Sequence, residues 1–599
     1  MNRIKIEAVK KSLNASITIP GSKSYTNRAL LISALVGSKV RLVNPLFSDD
    51  TEAMIACLKK LGVSVSINSS SISVLGNLQN LKSGEYKLDA NLSGTTLRFM
   101  LALATIIPGV KTLFGKEGLN KRPIADLVKG LRQLGAKIEY LEKPGFSPVK
   151  ILSSKLNQGE ILIKGSVSSQ YLSAILLISP VIGEITIKVK DVQLSKPYID
   201  MTLDIMEKFG VKVLNENYQK YITRANQKYS KGTYIIEGDY SSACYFGAIA
   251  ALTKSNITLK NINQNSKQAD LKFFKILDQM GNKVVSGVNQ ITIYGKGIKA
   301  VDVDMQDCPD QVQTLAVLAA FAKGKTQISG VQSLRMKETD RIFALTEELK
   351  KMAVKVESSQ DTLTIYGGNP NPATIDTYDD HRMAMSFAIA GVKISGMAIN
   401  NPDVVNKTFP EFWNMLKAIG IKLDLKDDRR NIVLIGMRGS GKTTIAKILS
   451  KRLNKKCLEM DSLIINKIGL SIADIVEKHG WDYFRAKESE ITKEISQDHD
   501  KIISTGGGII ERAKNIDALK KNGFFIFLRA KAETLIKRAT GSKYRPSLTK
   551  KQNSVDEIKE ILNKREKLYM SVADLIIDID NLNANQIADI ILEKMYANK

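Results

Sequence analysis

The sequence predicts two assemblies in tandem: a long N-terminal region of α/β and α+β character built from a repeated unit, and a shorter C-terminal α/β domain on a parallel sheet. Three observations carry this. Six similar helix–glycine–strand joins recur across the first 425 residues. Polar and basic clusters stand just before apolar helices. The stretch NIVLIGMRGSGKTT (431–444) reads as a buried strand, a glycine loop and a helix start. At 599 residues the chain is too long for one core, and about 150 residues per domain suggests about four compact units.

The joins are LGVSV (61–65), LGAKI (134–138), FGVKV (209–213), MGNKV (280–284), MAVKV (352–356) and IGIKL (419–423), about 67 to 75 residues apart. Each follows an amphipathic helical pattern and runs into an alternating stretch. That is the signature of a helix closed by a left-handed glycine and then a strand. Ala353 replaces glycine in the fifth copy. Two groups of three such units make two lobes with a cleft between them.

Composition sets bounds on function. Apolar content of 43% supports real cores. The net charge of +27 comes from scattered lysines, without an aromatic RNA-binding motif or a basic tail, so no nucleic acid is expected. Cys57, Cys244, Cys308 and Cys457 lie far apart without C-x-x-C spacing, which fits a reducing cytoplasm. No signal core and no long apolar run are present, so neither secretion nor membrane spanning is expected.

The polar clusters sit at unit edges. GSKSYTNR offers Lys23, Ser24 and Arg28, and SGTTLR offers Gly94, Thr95 and Arg98. KRPI offers Arg122, GSVSSQ offers Ser168, Ser169 and Gln170, and SKPY offers Ser195 and Tyr198. Hydroxyls and free N–H groups at helix N-termini make anion sites, although a single serine there is ordinarily a cap. Later clusters are sharper: Asp310 in CPD; Lys337, Glu338, Asp340 and Arg341 in KETDR; His381 and Arg382 in DHRMAM; Lys407 in NKTFPEFW. Basic groups at the positive end of a helix oppose its dipole unless an anion is bound.

In order, these motifs together with EGDYSSACYF resemble 5-enolpyruvylshikimate-3-phosphate synthase over about residues 1–425. The resemblance implies six βαβαββ units in two lobes, about 20–228 and about 1–19 plus 229–425. It implies transfer of enolpyruvyl from phosphoenolpyruvate to the 5-hydroxyl of shikimate 3-phosphate, with no metal or cofactor. By resemblance Asp310 is the base and Glu338 the proton donor, and Lys23 protonates the departing phosphate or bridging oxygen. Lys23, Gly94, Arg122, Gln170, Arg341, Arg382 and Lys407 hold phosphoenolpyruvate. Lys23, Ser24, Arg28, Ser168, Ser169, Gln170, Ser195, Asp310 and Lys337 hold shikimate 3-phosphate, with Tyr198 beside the ring. Two departures stand out: Asn91 is displaced by one position, and Ser333 replaces an asparagine. The sister UDP-N-acetylglucosamine enolpyruvyl transferase usually carries a catalytic cysteine where this chain has Glu117.

The C-terminal motif GMRGSGKT matches G-x-x-x-x-G-K-S/T. Backbone amides of Gly439, Ser440 and Gly441 with Thr444 cradle phosphates, Lys442 reaches the outer ones, and Thr443 binds Mg²⁺. CLEMDSLI (Asp461), WDYFRAKESE (Arg485), STGGGII (Gly506, Gly507, Gly508), KYRPSL (Arg545) and KREKLYM (Arg565) then make the domain resemble shikimate kinase over about residues 429–596. That implies a nucleoside-monophosphate-kinase-like three-layer α/β/α fold over 431–599, with 426–430 as linker. By resemblance Asp461 activates the attacking hydroxyl, and Arg485, Gly507, Gly508 and Arg565 hold shikimate. Arg545 acts in catalysis and ATP binding from a lid over the transferred phosphate, and Arg538 lies near adenine. Glu459 stands where the family has aspartate, and Lys567 where it has proline.

The favoured reading is a bifunctional enzyme acting on shikimate, ATP, shikimate 3-phosphate and phosphoenolpyruvate, with Mg²⁺ for the kinase, as a cytoplasmic monomer or weak homo-oligomer. The same order occurs within the fused aromatic-pathway polypeptide that the chain resembles. The alternatives are a basic nucleic-acid-associated ATPase, or the sister transferase fused to another small-molecule kinase.

Overall fold

The computed structural model describes residues 3–76, 81, 83–153, 155–426, 430–453, 455–539 and 554–597. The chain divides into two compact units, Asn2–Lys426 and Asp427–Lys599.

Among the described residues the first unit contains six four-stranded sheets of one pattern, a parallel pairing followed by two antiparallel pairings. In one, Gly159–Ile163 lies parallel to Ile185–Val189, which pairs antiparallel with Lys220–Thr223, and that strand with Val213–Glu216. In each repeat one helix is nearly wholly buried, and a second, leading into the join, is amphipathic. In Gly94–Ala104 every residue but Thr95 is buried, and Ser93 caps the first turn by accepting from Thr96 N. Such helices are apolar all round because they are packed on every side.

All six joins adopt the left-handed conformation: φ is +96° at Gly62, +87° at Gly135, +90° at Gly210, +102° at Gly281, +59° at Ala353 and +93° at Gly420. The alanine in the fifth copy takes the same turn despite its Cβ.

Two hydrophobic cores result. One runs from Tyr25 to Ile236, and the other joins Ile4, Ile6, Ile17 and Ile19 to residues from Tyr240 to Ile421. Strands are exchanged to build them. Asn14–Thr18 lies parallel to Asn256–Lys260, and Arg3–Ile6 sits between Ala398–Asn400 and Leu423–Lys426. The lobe boundary expected at 228/229 is corrected to about 237. Thr233–Ile235 pairs in parallel with Lys39–Val43, completing the sheet of the lobe that the chain is about to leave. Likewise Lys426, expected in the linker, pairs with Arg3 as the end of a strand; 427–429 lie outside the described residues.

The two crossings meet at a bridge between Gly21 and Gly238. A Cβ on Gly21 would lie 1.9 Å from Asn44 O, and one on Gly238 2.0 Å from Asn261 O. Asn44 Nδ2 donates to Ile236 O at 3.0 Å, and Asn261 Nδ2 to Ile19 O at 2.9 Å. Glycine is required at both because another backbone occupies the space of a side chain.

The second unit is a three-layer α/β/α domain on an all-parallel sheet with strand order Lys456–Glu459, Lys501–Ser504, Asn431–Ile435, Gly523–Arg529, Leu575–Asp578. Asn431–Ile435 is central and wholly buried, as its apolar run from Ile432 requires. The chain then turns through Gly436, Gly439 and Gly441, all at positive φ, into helix Lys442–Leu453. Helix Ile472–Ile495 is interrupted at Gly480 (φ 80°, ψ 170°). No helix among the described residues is long and apolar enough to cross a membrane.

Candidate functional sites

In the first unit, Lys23, Ser24, Arg28, Gln170, Tyr198, Asp310 and Arg382 line one cavity of about 750 Å³. Residues from both cores contribute to it. Tyr198 Oη donates to Asp310 Oδ2 at 3.2 Å, joining the two lobes directly. Arg28 is braced by three acceptors, the carbonyls of Ser24 (3.0 Å) and Tyr198 (3.1 Å) and Thr202 Oγ1 (2.8 Å). Gln170 donates to Thr95 Oγ1 at 3.2 Å. Lys23 Nζ pairs with buried Asp50 at 3.1 Å, while its backbone N–H donates to Asp239.

Beside this cavity stands a dense charge cluster. Arg341 is 1% exposed and reaches Asp380 (2.7 Å), Glu338 (2.8 Å) and Asp310 (3.2 Å). Arg122 (3.1 Å) and Lys407 (2.9 Å) converge on Glu338 Oε1, and Arg382 pairs with Asp310 at 2.8 Å. Burial alone would raise both carboxyls. For Asp310 the opposing charges of Arg382, Lys337, Arg341 and Lys23 win and hold it well below the usual carboxylate range. For Glu338, Lys407, Arg341 and Arg122 do the same. Burial, with Arg341 and Arg122 adding and Asp310 opposing, draws the Lys337 ammonium downward. Burial and the neighbouring Arg382 and Lys407 keep the His381 imidazole uncharged. A Cβ on Gly94 would meet Arg98 Nη1 at 2.5 Å and Arg122 Nη1 at 3.0 Å, so glycine there makes room for the arginine heads.

Not every expected residue lines the cavity. Ser168 caps helix Ser169–Ile182 by accepting from Gln170 N, buried Ser169 begins that helix, and Ser195 begins helix Lys196–Lys208 at φ +54°. Ser333 lies in the 3-10 turn Gln332–Met336 leading to Lys337. Asn91 occupies a left-handed turn held by Asp89.

Two acidic groups escaped sequence reasoning. Asp380 caps Arg382 N (2.9 Å) and pairs with Arg341, a double use hidden inside DDHR. Asp270 lines the cavity and takes Gln311 Nε2 (3.3 Å) and Cys308 Sγ (3.3 Å), flanking Asp310.

In the second unit a cavity of about 920 Å³ runs from the glycine loop to the glycine triplet. Gly439, Gly441, Lys442, Thr443 and Thr444 line one end; Asp461, Arg485, Gly506, Gly507, Gly508 and Arg565 line the other. Ser440 is buried within the loop. Lys442 Nζ donates to the carbonyls of Gly436 (2.8 Å) and Met437 (2.9 Å). Thr443 Oγ1 donates to Glu459 Oε1 at 2.8 Å, and the other Glu459 oxygen accepts from Ser462 at 3.0 Å.

Arg485 lies flat against the triplet, where a Cβ on Gly508 would fall 1.8 Å from Nη2. Its Nη1 pairs with Glu488 at 2.8 Å, and its plane borders Trp481 and Phe484. Arg565 donates from Nε to Glu511 at 2.9 Å. Tyr569 Oη donates to Gly507 O, and its ring stacks on Phe527, which fixes the triplet from beneath. Arg538 donates to the carbonyls of Ile579 and Leu582, with its Cβ 3.9 Å from where a Cβ on Gly439 would sit. Lys567 is exposed on helix Ser554–Val572. Arg545 lies outside the described residues.

Comparison with known proteins follows the same division. Residues 8–416 match the family model for EPSP synthase (3-phosphoshikimate 1-carboxyvinyltransferase), and residues 438–596 match that for shikimate kinase. A 3-phosphoshikimate 1-carboxyvinyltransferase of Shewanella halifaxensis is 41% identical over 425 residues, covering 70% of this chain and all of that protein. Pentafunctional AROM polypeptide 2 of Lodderomyces elongisporus is 36% identical over 600 residues, covering 93% of this chain; the chain spans 38% of that longer protein. An EPSP synthase structure from Acinetobacter baumannii superposes with a TM-score of 0.62 at 24% identity, covering 71% of this chain and all of that one, which bears on fold alone.

Proposed function

The chain belongs to the EPSP synthase family over residues 8–416 and carries a shikimate kinase domain over residues 438–596, and from that premise we propose how its residues divide two consecutive reactions. The kinase unit phosphorylates the 3-hydroxyl of shikimate with ATP. The synthase unit then joins the product to phosphoenolpyruvate and releases phosphate. The observation that carries the synthase assignment is the convergence of Arg122, Arg341 and Lys407 on Glu338, beside Asp310.

Those cations suit a phosphate and a carboxylate on one small molecule. A phosphoenolpyruvate held by Arg122, Arg341, Arg382 and Lys407 withdraws positive charge from Glu338. A proton then returns to Glu338 more readily, as its role requires. Asp310, kept ionised by its neighbours, accepts the proton of the 5-hydroxyl as its oxygen bonds to C2 of phosphoenolpyruvate. Glu338 gives a proton to C3. In the second half C3 returns that proton to Glu338 while the C2–O bond to phosphate breaks, and Lys23 protonates the departing oxygen. Ser24, Arg28, Ser168, Ser169, Gln170, Ser195, Tyr198 and Lys337 orient shikimate 3-phosphate. Closure of the lobes shields the intermediate from water.

In the kinase unit Arg485, Arg565 and the glycine triplet hold the shikimate carboxylate and ring, and Asp461 activates the attacking hydroxyl. The loop amides and Lys442 hold ATP. Thr443, with Glu459 at hydrogen-bond distance, offers the hard oxygen donors that suit Mg²⁺. That ion neutralises phosphate charge when bound with ATP. Four free cysteines fit a cytoplasmic setting.

The test is a coupled assay. Shikimate, ATP, Mg²⁺ and phosphoenolpyruvate should yield 5-enolpyruvylshikimate 3-phosphate and phosphate. Lys442→Ala should stop the reaction from shikimate yet leave activity on supplied shikimate 3-phosphate. Loss of both activities together would overturn the assignment of two independent sites.

A further inference from the structure

Glu511 stands three residues beyond the glycine triplet, at the end of the 3-10 turn Ile509–Glu511. Its Oε1 accepts from Arg565 Nε at 2.9 Å, and its Oε2 lies 3.8 Å from Arg485 Nη2. One carboxylate therefore spans the two arginines assigned to the substrate carboxylate, although they come from helices 80 positions apart in sequence (565 − 485). The bond to Arg565 is made through Nε, the one guanidinium nitrogen that points back along the side chain. Arg565 Nη1 is left facing the triplet, 3.8 Å from where a Cβ on Gly507 would lie. Arg565 is 5% exposed, so its head cannot reorient freely once Nε is engaged.

We propose that Glu511 is a positioning residue for the kinase reaction, aiming the paired guanidinium heads of Arg565 and Arg485 at the carboxylate of the ring substrate and so setting discrimination for an anionic acid over its neutral analogues. This rests on the shikimate kinase reading above. A guanidinium has five N–H donors in a fixed fork, so anchoring Nε to one acceptor fixes the direction of the other two nitrogens. Preorganising that fork removes an ordering cost from binding. Glu488 anchors Arg485 from the other side through Nη1. Arg565 has Glu511 as its ion-pair partner, so the geometry of the pair depends on this carboxylate.

The experiment measures kinase kinetics of the full chain with shikimate and with its neutral carboxamide. Glu511→Ala is expected to raise KM for shikimate about tenfold, leaving KM for ATP and turnover of the carboxamide unchanged. Isosteric Glu511→Gln keeps an acceptor for Arg565 Nε but lacks the charge, and is expected to raise KM about threefold. An unchanged KM for ATP and unchanged turnover of the carboxamide report that the kinase unit is folded. An unchanged or lowered KM for shikimate in Glu511→Ala, or an equal rise in KM for ATP, overturns the proposal. A wild-type chain that does not phosphorylate shikimate would instead overturn the kinase reading itself.

Discussion

Arg122 Nη2 lies 3.1 Å from Glu338 Oε1, an ion pair between residues that belong to opposite lobes of the synthase unit. Because both side chains are about 15% exposed or less, this pair is poorly screened by solvent. Its arginine is assigned to phosphoenolpyruvate and its glutamate to proton donation, so substrate binding must divide the pair.

Arg122→Ala should therefore raise KM for phosphoenolpyruvate with little change in KM for shikimate 3-phosphate. A charged hydrogen bond contributes about 1.5–3 kcal/mol, or roughly ten- to a hundredfold in affinity. Steady-state kinetics with one substrate varied at a time read this out. A rise confined to shikimate 3-phosphate would place Arg122 at the wrong ligand.

Gly508→Ala addresses the kinase site. The added methyl falls on Arg485 Nη2, and the arginine head must move. Loss of one charge-assisted contact of about 1.5 kcal/mol gives about a tenfold rise in KM for shikimate. KM for ATP and the synthase reaction should be unaffected. An unchanged KM would mean that Arg485 does not bind the substrate from this position.

Ala353→Gly should stabilise the synthase unit. Ala353 holds φ +59° at an exposed join where the other five copies use glycine. The left-handed conformation costs a non-glycine residue about 1–2 kcal/mol, partly offset by the greater freedom of glycine in the unfolded chain. The expected net gain is about 1 kcal/mol, read as a higher urea midpoint. A lower midpoint would show that the alanine is not strained.

Lys111 supplies a pH test. It is fully buried and donates to the carbonyls of Ile107 (2.6 Å), Gly109 (2.8 Å) and Ser153 (2.7 Å). Burial pushes its pKa down to about 8, against roughly 10.4 in an unfolded chain. Between these values the unfolded chain binds the extra proton, so stability from this group rises with pH; below about 8 both states are protonated and it is flat. The urea midpoint of the wild type relative to Lys111→Met should thus improve from pH 7.5 to 10. A relative decline over that range would mean that the three carbonyls favour the ammonium more than burial disfavours it, and would overturn the downward shift.

Much of this molecule was legible because its signals are local. The six joins follow from helix periodicity ended by one left-handed residue, and the phosphate loop from a buried strand followed by glycines. What escaped depends on distant partners. Asp380 reads as an ordinary cap until Arg341, thirty-nine positions earlier, is found against it. Lys111 alternates like an exposed strand residue in VKTLF, yet three carbonyls from two loops enclose it. The lobe crossing was misplaced because Thr233–Ile235 is three residues long, too short to show a period, and its partner strand lies nearly two hundred residues earlier. Glu511 reads as one more surface acid until the two arginines arrive from separate helices.

The exchange of strands also fixes an order of events during synthesis. All strands of the lobe closed by Thr233–Ile235 have been made once residue 235 has emerged, and that lobe can fold while translation continues. Arg3–Ile6 and Asn14–Thr18 have to wait. The second must outlast the assembly of an entire lobe before Asn256–Lys260 is made, and the first needs Ala398–Asn400 and Leu423–Lys426. Through that interval Ile4, Ile6 and Ile17 ride on unpaired strands, the kind of surface that nascent chains expose to chaperones and to one another. These two early-made strands are thus among the last parts of the synthase unit to find their place.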